Sequence, residues 1–305
     1  MKEPQDVPFE KEGQYLKSDN RNNISYFLEH NVLLRRFTLS VGVLANYNSA
    51  LNEGIHFYPG IDASYRIGDN FRLYGSWNRA LRMPTFTDLY YEGKTNKGNP
   101  DLKPEESEAF EVGLKYNTYF LRAHIAGFYR KGKNMIDWVK EKPEDIWESQ
   151  NLTKVDNLGF ETNLSLLPRE LGNERFFIRK IELGYAFIHQ DKDSEGYISN
   201  YALDYLKHKF TAQLSHSIWK GFSATWYVRW QDRAGSYTKY ENLKPAYEEP
   251  YAPYCLVDMK VNWEYQRLNL YAELNNLLNS TYYDLGNIPQ PGIWFKAGFR
   301  YSFKY

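Results

Sequence analysis

One cysteine, Cys255, is all that the 305 residues contain, so neither an internal disulfide framework nor a cysteine metal cluster can form. Neither charge is in excess: 38 Lys and Arg stand against 38 Asp and Glu. With no basic surplus to release counterions from a phosphate backbone, a nucleic-acid partner is excluded. No stretch reaches the roughly 18–20 apolar residues that a membrane helix needs. The opening Met1-Lys2-Glu3-Pro4-Gln5-Asp6 has no apolar segment of the secretory type, so either the protein stays inside the cell or this is not its true beginning.

Catalytic patterns are equally scarce. HExxH, GxSxG, CxxC, P-loop and GxGxxG are all missing. Gly221-Phe222-Ser223-Ala224-Thr225 starts like a nucleophile elbow but lacks the final glycine. The stretch from Asp191 to Gly196 starts like a calcium loop, yet Ala202 stands where the bidentate Glu belongs. The histidines, at 30, 56, 124, 189, 208 and 216, show no ligand spacing. No catalytic residue, cofactor or metal site is assigned, and the chain is read as a non-enzyme.

Aromatic residues, by contrast, make up 17% of the chain, with 27 Tyr, 18 Phe and 8 Trp, and they fall into alternating patterns. Tyr119, Leu121, Ala123, Ile125, Gly127 and Tyr129 take every second position, with Arg122, His124 and Arg130 between them. Phe222, Ala224, Trp226, Val228 and Trp230 repeat the pattern, as do Val257 to Tyr265 and Ile293 to Tyr305. Similar dyads near 24–34, 37–47, 57–67, 70–80, 106–117, 155–166, 177–189, 206–218 and 267–277 bring the expectation to about thirteen strands. Most are about ten residues long, the length that crosses a bilayer at a tilt near 45°. A transmembrane antiparallel up-and-down β-barrel is therefore expected, with aromatic residues at both ends of the strands as interfacial girdles. A soluble β-sandwich with the same greasy face as its core is the alternative.

The connections favour the barrel. Tight turns near Arg35-Arg36, Gly68-Asp69, Asn117-Thr118, Gly221 and Gln266-Arg267 take turns with long segments at 48–56, 82–105, 131–154, 190–205, 233–253 and 278–292. Membrane barrels sort short and long loops to opposite sides. If the chain ends in the periplasm, the first strand enters from outside, so 1–23 is expected to be an extracellular loop remnant or a disordered N-terminus and 24–305 the barrel portion. An odd strand number starting outside reads as the C-terminal part of a longer barrel.

Two stretches carry a specific resemblance. Arg82, Pro84, Thr85, Leu89 and Tyr90, then Asn99, Pro100, Leu102, Pro104, Glu105, Ser107, Glu111 and Gly113, are spaced as in TonB-dependent outer-membrane receptors. Asn275-Asn276-Leu277-Leu278-Asn279, with Tyr282, Pro291, Gly292 and Gly298, is similar to that family's final hairpin. The resemblance implies the C-terminal part of a 22-stranded barrel whose plug is absent here. It also implies residence in the lipid of a Gram-negative cell outer membrane. The expected activity is active uptake of a scarce large nutrient, such as a ferric siderophore or cobalamin, driven by the TonB system. Locally, the Asn-Pro and Lys-Pro steps read as structural, shaping the approach of a loop to a strand, and Gly113 reads as a simple bend.

Gly298, Tyr301, Phe303 and Tyr305 resemble the terminal signal that such barrels present to the barrel assembly machinery. The aromatic residues Tyr90, Tyr91, Trp147, Tyr237 and Tyr240, on segments expected outside, are weak candidates for contact with a small-molecule nutrient. Three rivals stay open at this stage: a passive porin-like channel, an outer-membrane hydrolase and a glycan-binding sandwich.

Overall fold

A computed structural model describes residues 20–49, 54–142, 144–172, 175–193, 196–199, 205–241, 244–286 and 288–303. Thirteen strands form one sheet in which each pairs antiparallel with its neighbours in chain order. They are β1 (Asn23–Leu33), β2 (Phe37–Asn48), β3 (Ile55–Ile67), β4 (Phe71–Arg82), β5 (Glu105–Asn117), β6 (Leu121–Lys140) and β7 (Trp147–Leu166). The path continues with β8 (Ile178–Asp193), β9 (Leu206–Trp219), β10 (Phe222–Arg233), β11 (Tyr254–Tyr265), β12 (Leu268–Asn275) and β13 (Trp294–Tyr301). All thirteen coincide with the alternating segments of the sequence. Residues 1–19, on which most of the expected N-terminal remnant falls, lie outside the described residues, and Asn23 is already paired with Asn48 in β1.

The register sorts residues by face. Across β4, β5, β6 and β7 the row Arg72, Lys115, His124, Asn163 is continuous, and the adjacent row is Phe71, Tyr116, Ala123, Leu164. The apolar face is open: Val112 is 59% exposed, Leu158 57% and Phe299 74%. Among the described residues no second sheet or helix packs on it, which removes the sandwich reading, because a sandwich would bury these side chains. Aromatic pairs sit on this face at two levels. Phe71 packs on Tyr116 and Phe222 on Trp263 near the tight turns, while Trp77 packs on Phe110 and Phe160 on Phe187 nearer the long connections. From Phe222 to Trp230 the strand climbs about 26 Å, or about 20 Å along the normal at a barrel tilt, a spacing suited to interfacial girdles.

Tight turns follow from local chemistry. Gly68, Gly221 and Gln266 take the left-handed conformation, with φ of 64°, 78° and 51°. The longer short-side connection is a 3-10 turn, Pro168–Leu171, closed by Gly172 at φ 102°. At the other end, two segments read as loops are strands. β6 runs ten residues and β7 eight residues past the expected boundary, and 233–253 contains its own hairpin, Ser236–Glu241 with Lys244–Pro250.

Gly113 is not a simple bend. It lies opposite Tyr74, whose ring covers it, and a Cβ built there would meet that ring at 2.5 Å. The same device recurs at Gly298 beneath Tyr271 and at Gly159 beneath Phe128. Each glycine lets an aromatic ring lie flat on the inner wall. Gly113→Val is therefore expected to destabilise the sheet by about 1–3 kcal/mol through overpacking. The folded fraction, read from heat-modifiable migration, should fall, and Tyr74→Ala in the same chain should restore it. Failure of the second change to rescue the first would reject this packing argument.

Candidate functional site

The long-connection end of the sheet carries most of the buried side chains. Connection 82–105 begins with Pro84 and a short helix, α1 (Phe86–Tyr90). Thr85 and Asp88 form a capping box: the Thr85 hydroxyl accepts from the Asp88 amide at 3.1 Å and the Asp88 carboxylate accepts from the Thr85 amide at 2.9 Å. Register places Arg82 opposite Glu105, and the guanidinium donates two parallel bonds to that carboxylate, at 2.7 and 2.6 Å. Glu105, 7% exposed, also accepts from the amide of Ile136 at 2.8 Å. Leu89 and Leu102 pack with Ile136, and Asn99 donates its amide to Asp88 O and caps the amide of Asp101. Asn151, from β7, clamps Lys103 through both its amide and its carbonyl. The Pro100 and Pro104 stretch is thus laid against the β6–β7 ribbon. Of the remaining motif residues, Glu111 accepts from the Tyr74 hydroxyl at 2.7 Å on the inner wall.

The aromatic candidates divide into two groups. Tyr90 stacks on Phe86, Tyr91 meets Trp138 edge-on, and Trp147 lies under the ammonium of Lys140 at 4.5 Å. Tyr237 is 7% exposed, between Tyr251 and Tyr283, so its ring is loop packing, whereas Tyr240 is 52% exposed. Lys239 reaches over the rings of Tyr237 and Tyr283 and donates to Glu249 at 2.8 Å. That bond holds the Glu249 carboxyl below the usual carboxylate range and raises Lys239, while burial pushes the Tyr237 phenol up. The Tyr254 hydroxyl lies within hydrogen-bond reach of both Gln231 Oε1 and Asp284 Oδ1 at the root of the same loop.

Sequence reasoning missed Asp88, although Thr-x-x-Asp after Pro84 is a helix-start signal. It also missed Gln231 and Asp284, for which the chain carries no local sign.

The inner wall nearer the tight turns is lined by both charges. A groove of about 790 Å³ is bordered by Lys115, Arg122, His124, Glu182, Lys260 and Glu273. Glu273 accepts from Lys260 and Lys296, each at 2.8 Å, tying β11, β12 and β13 together. Tyr74 lies 2.7 Å from His124 Nε2. On β13, Gly298 faces inward under Tyr271, and Tyr301 meets Phe303 edge-on at 5.0 Å. Tyr305 lies outside the described residues.

Comparison with known proteins agrees with this geometry. The model of a family described as TonB dependent receptor-like, beta-barrel matches residues 4–277. The chain is 27% identical over 225 residues to the vitamin B12 transporter BtuB of Vibrio vulnificus, covering 55% of this chain and 36% of that protein. It is 22% identical over 297 residues to the ferrienterobactin receptor of Escherichia coli, covering 88% and 38%. Its fold superposes on the crystal structure of the ferric enterobactin receptor PfeA of Pseudomonas aeruginosa with a TM-score of 0.72 at 19% identity, over 95% of this chain and 46% of that one. The chain thus spans 36% and 38% of the length of these two curated relatives.

Proposed function

The chain belongs to the TonB-dependent receptor family, and from that membership we propose that it forms barrel wall and outer mouth of an active importer for a scarce, large nutrient of the ferric siderophore or cobalamin class. The reading rests above all on the two-faced sheet, open and apolar outside and charged inside, whose long-connection end is folded by the Arg82–Glu105 pair. An apolar band between aromatic rows suits the lipid of a Gram-negative outer membrane. Under this reading the TonB system supplies the energy, and Gly298, Tyr301, Phe303 and Tyr305 are read by the barrel assembly machinery at an exposed terminal edge. The names of the relatives, a vitamin B12 transporter and a ferrienterobactin receptor, support a nutrient of one of these two classes.

The test is uptake of labelled cyanocobalamin and of a labelled ferric siderophore by cells whose only such receptor is the one that carries this barrel. Accumulation of one of them should collapse when a protonophore removes the proton-motive force. Uptake indifferent to the protonophore would instead establish a passive channel. The 305 residues expressed alone are expected to give no energised uptake.

A further inference from the structure

The first four strands end on a pocket whose polar lining is dominated by four asparagine amides, set among apolar side chains with two arginines. Asn23, Asn46 and Asn48 lie on the inner face of β1 and β2, followed by Tyr58 on β3 and Asn78 on β4, all close to the long connections, and they border a cavity of about 510 Å³. Asn46 is 7% exposed. Its amide nitrogen donates to Asn23 and to Ser25, each at 2.8 Å, but its buried carbonyl oxygen has no hydrogen-bond partner among the described residues. Opposite it in the register, Nε2 of His56 is buried and likewise without a partner. An orphaned carbonyl oxygen on the cavity wall, such as that of Asn46, is costly unless something outside the wall bonds to it.

The cations at the rim are already engaged. Arg79 pairs with Glu108 at 3.3 Å and Glu106 at 3.8 Å. Arg21 donates to the carbonyl of Pro84 at 2.8 Å and sits 4.9 Å over the ring of Phe86. An anionic ligand would therefore find among the described residues a single cation without a carboxylate partner, Arg21, already turned onto Pro84 and Phe86, whereas a neutral surface with both donors and acceptors finds a matching set in the four asparagine amides. Gly60 keeps the wall open for this: a Cβ there would meet Asn78 Oδ1 at 2.6 Å.

We propose that this asparagine pocket is a binding subsite at the outer mouth for an uncharged ligand surface bearing amide or hydroxyl groups, with the Asn46 carbonyl as its central acceptor. The assignment rests on the uptake reading above and narrows the nutrient to one whose recognised face is neutral. The same amide chemistry could come from another segment of the complete receptor, and the experiment separates the two sources.

Equilibrium binding is measured on the complete receptor in its membrane. The probes are cyanocobalamin, whose periphery carries primary amides, and a ferric tricatecholate, which is anionic. Asn46→Leu is expected to weaken cyanocobalamin about tenfold or more while leaving the ferric probe unchanged. Asn46→Ser, which keeps a small polar side chain, should give an intermediate loss and decides the question if the leucine variant does not fold. Equal weakening of both probes, or of neither, overturns the subsite. So does a lowered temperature of heat-modifiable unfolding with unchanged affinity, which would make an internal segment the occupant. Failure of the wild-type receptor to bind cyanocobalamin overturns it too, and protonophore-sensitive accumulation of the ferric probe would then show that the uptake reading survives on its own.

Discussion

Leu214→Arg is expected to remove about 2–4 kcal/mol of stability, whereas Gln213→Arg, one position away, should change it by no more than about 0.5 kcal/mol. Both residues lie in mid-β9, with Leu214 paired to Trp226 on the apolar face and Gln213 to Tyr227 on the polar one. An arginine at Leu214 must carry its charge into hydrocarbon or drag water and headgroups to it, a cost that is greatest at mid-bilayer. An arginine at Gln213 joins a wall that already holds Lys260 and Glu273. Guanidinium titration of the receptor refolded into lipid vesicles measures both. Equal losses for the two variants would mean that the faces do not separate lipid from water.

The second large effect is at the motif. Arg82→Ala should cost about 3 kcal/mol in the local stability of connection 82–105, the low end for breaking a buried pair because the arginine side chain is itself half-exposed. Glu105 would keep the Ile136 amide but lose both guanidinium bonds. Asp88, 3.8 Å from the same guanidinium, would lose its neighbour as well. With α1 and the Leu89–Leu102–Ile136 cluster loosened, protease added to intact cells should cut within 82–105, while the heat-modifiable migration of the whole barrel is kept. Arg82→Lys should protect only partly, since an ammonium cannot make the two parallel bonds. Unchanged cleavage in the alanine variant would show that the pair does not hold the loop.

The thirteen strands were legible because a lipid-crossing strand writes its two environments into alternate residues over about ten positions. Where a strand leaves the bilayer that contrast ends. Residues 131–140 and 147–154 carry Gly132, Asn134 and Asn151, which read as loop punctuation, yet they continue β6 and β7, with Asn134 absorbing the irregularity at φ 52°. The spacing of the motif pointed to Arg82 and Glu105, but their partnership needed the register, which sets them face to face. Tyr237 looked like a ligand residue because rings on loops suit capture, whereas the hairpin Ser236–Glu241 with Lys244–Pro250 folds it between two other tyrosines. The asparagine pocket left no mark in the sequence at all, since Asn46 and Asn48 are ordinary residues for a wet face and only burial distinguishes them.

The β6–β7 ribbon has one more consequence. Cross-strand pairs lock it from Leu121 with Leu166 up to Val139 with Glu148, and the ladder is complete before the tip between Lys140 and Trp147. Foreign sequence spliced into that tip would meet a frame already zipped below it, and loop closure grows only slowly with added length. The ribbon is thus a ready display platform: an epitope inserted there should be carried on the barrel without disturbing the wall beneath it.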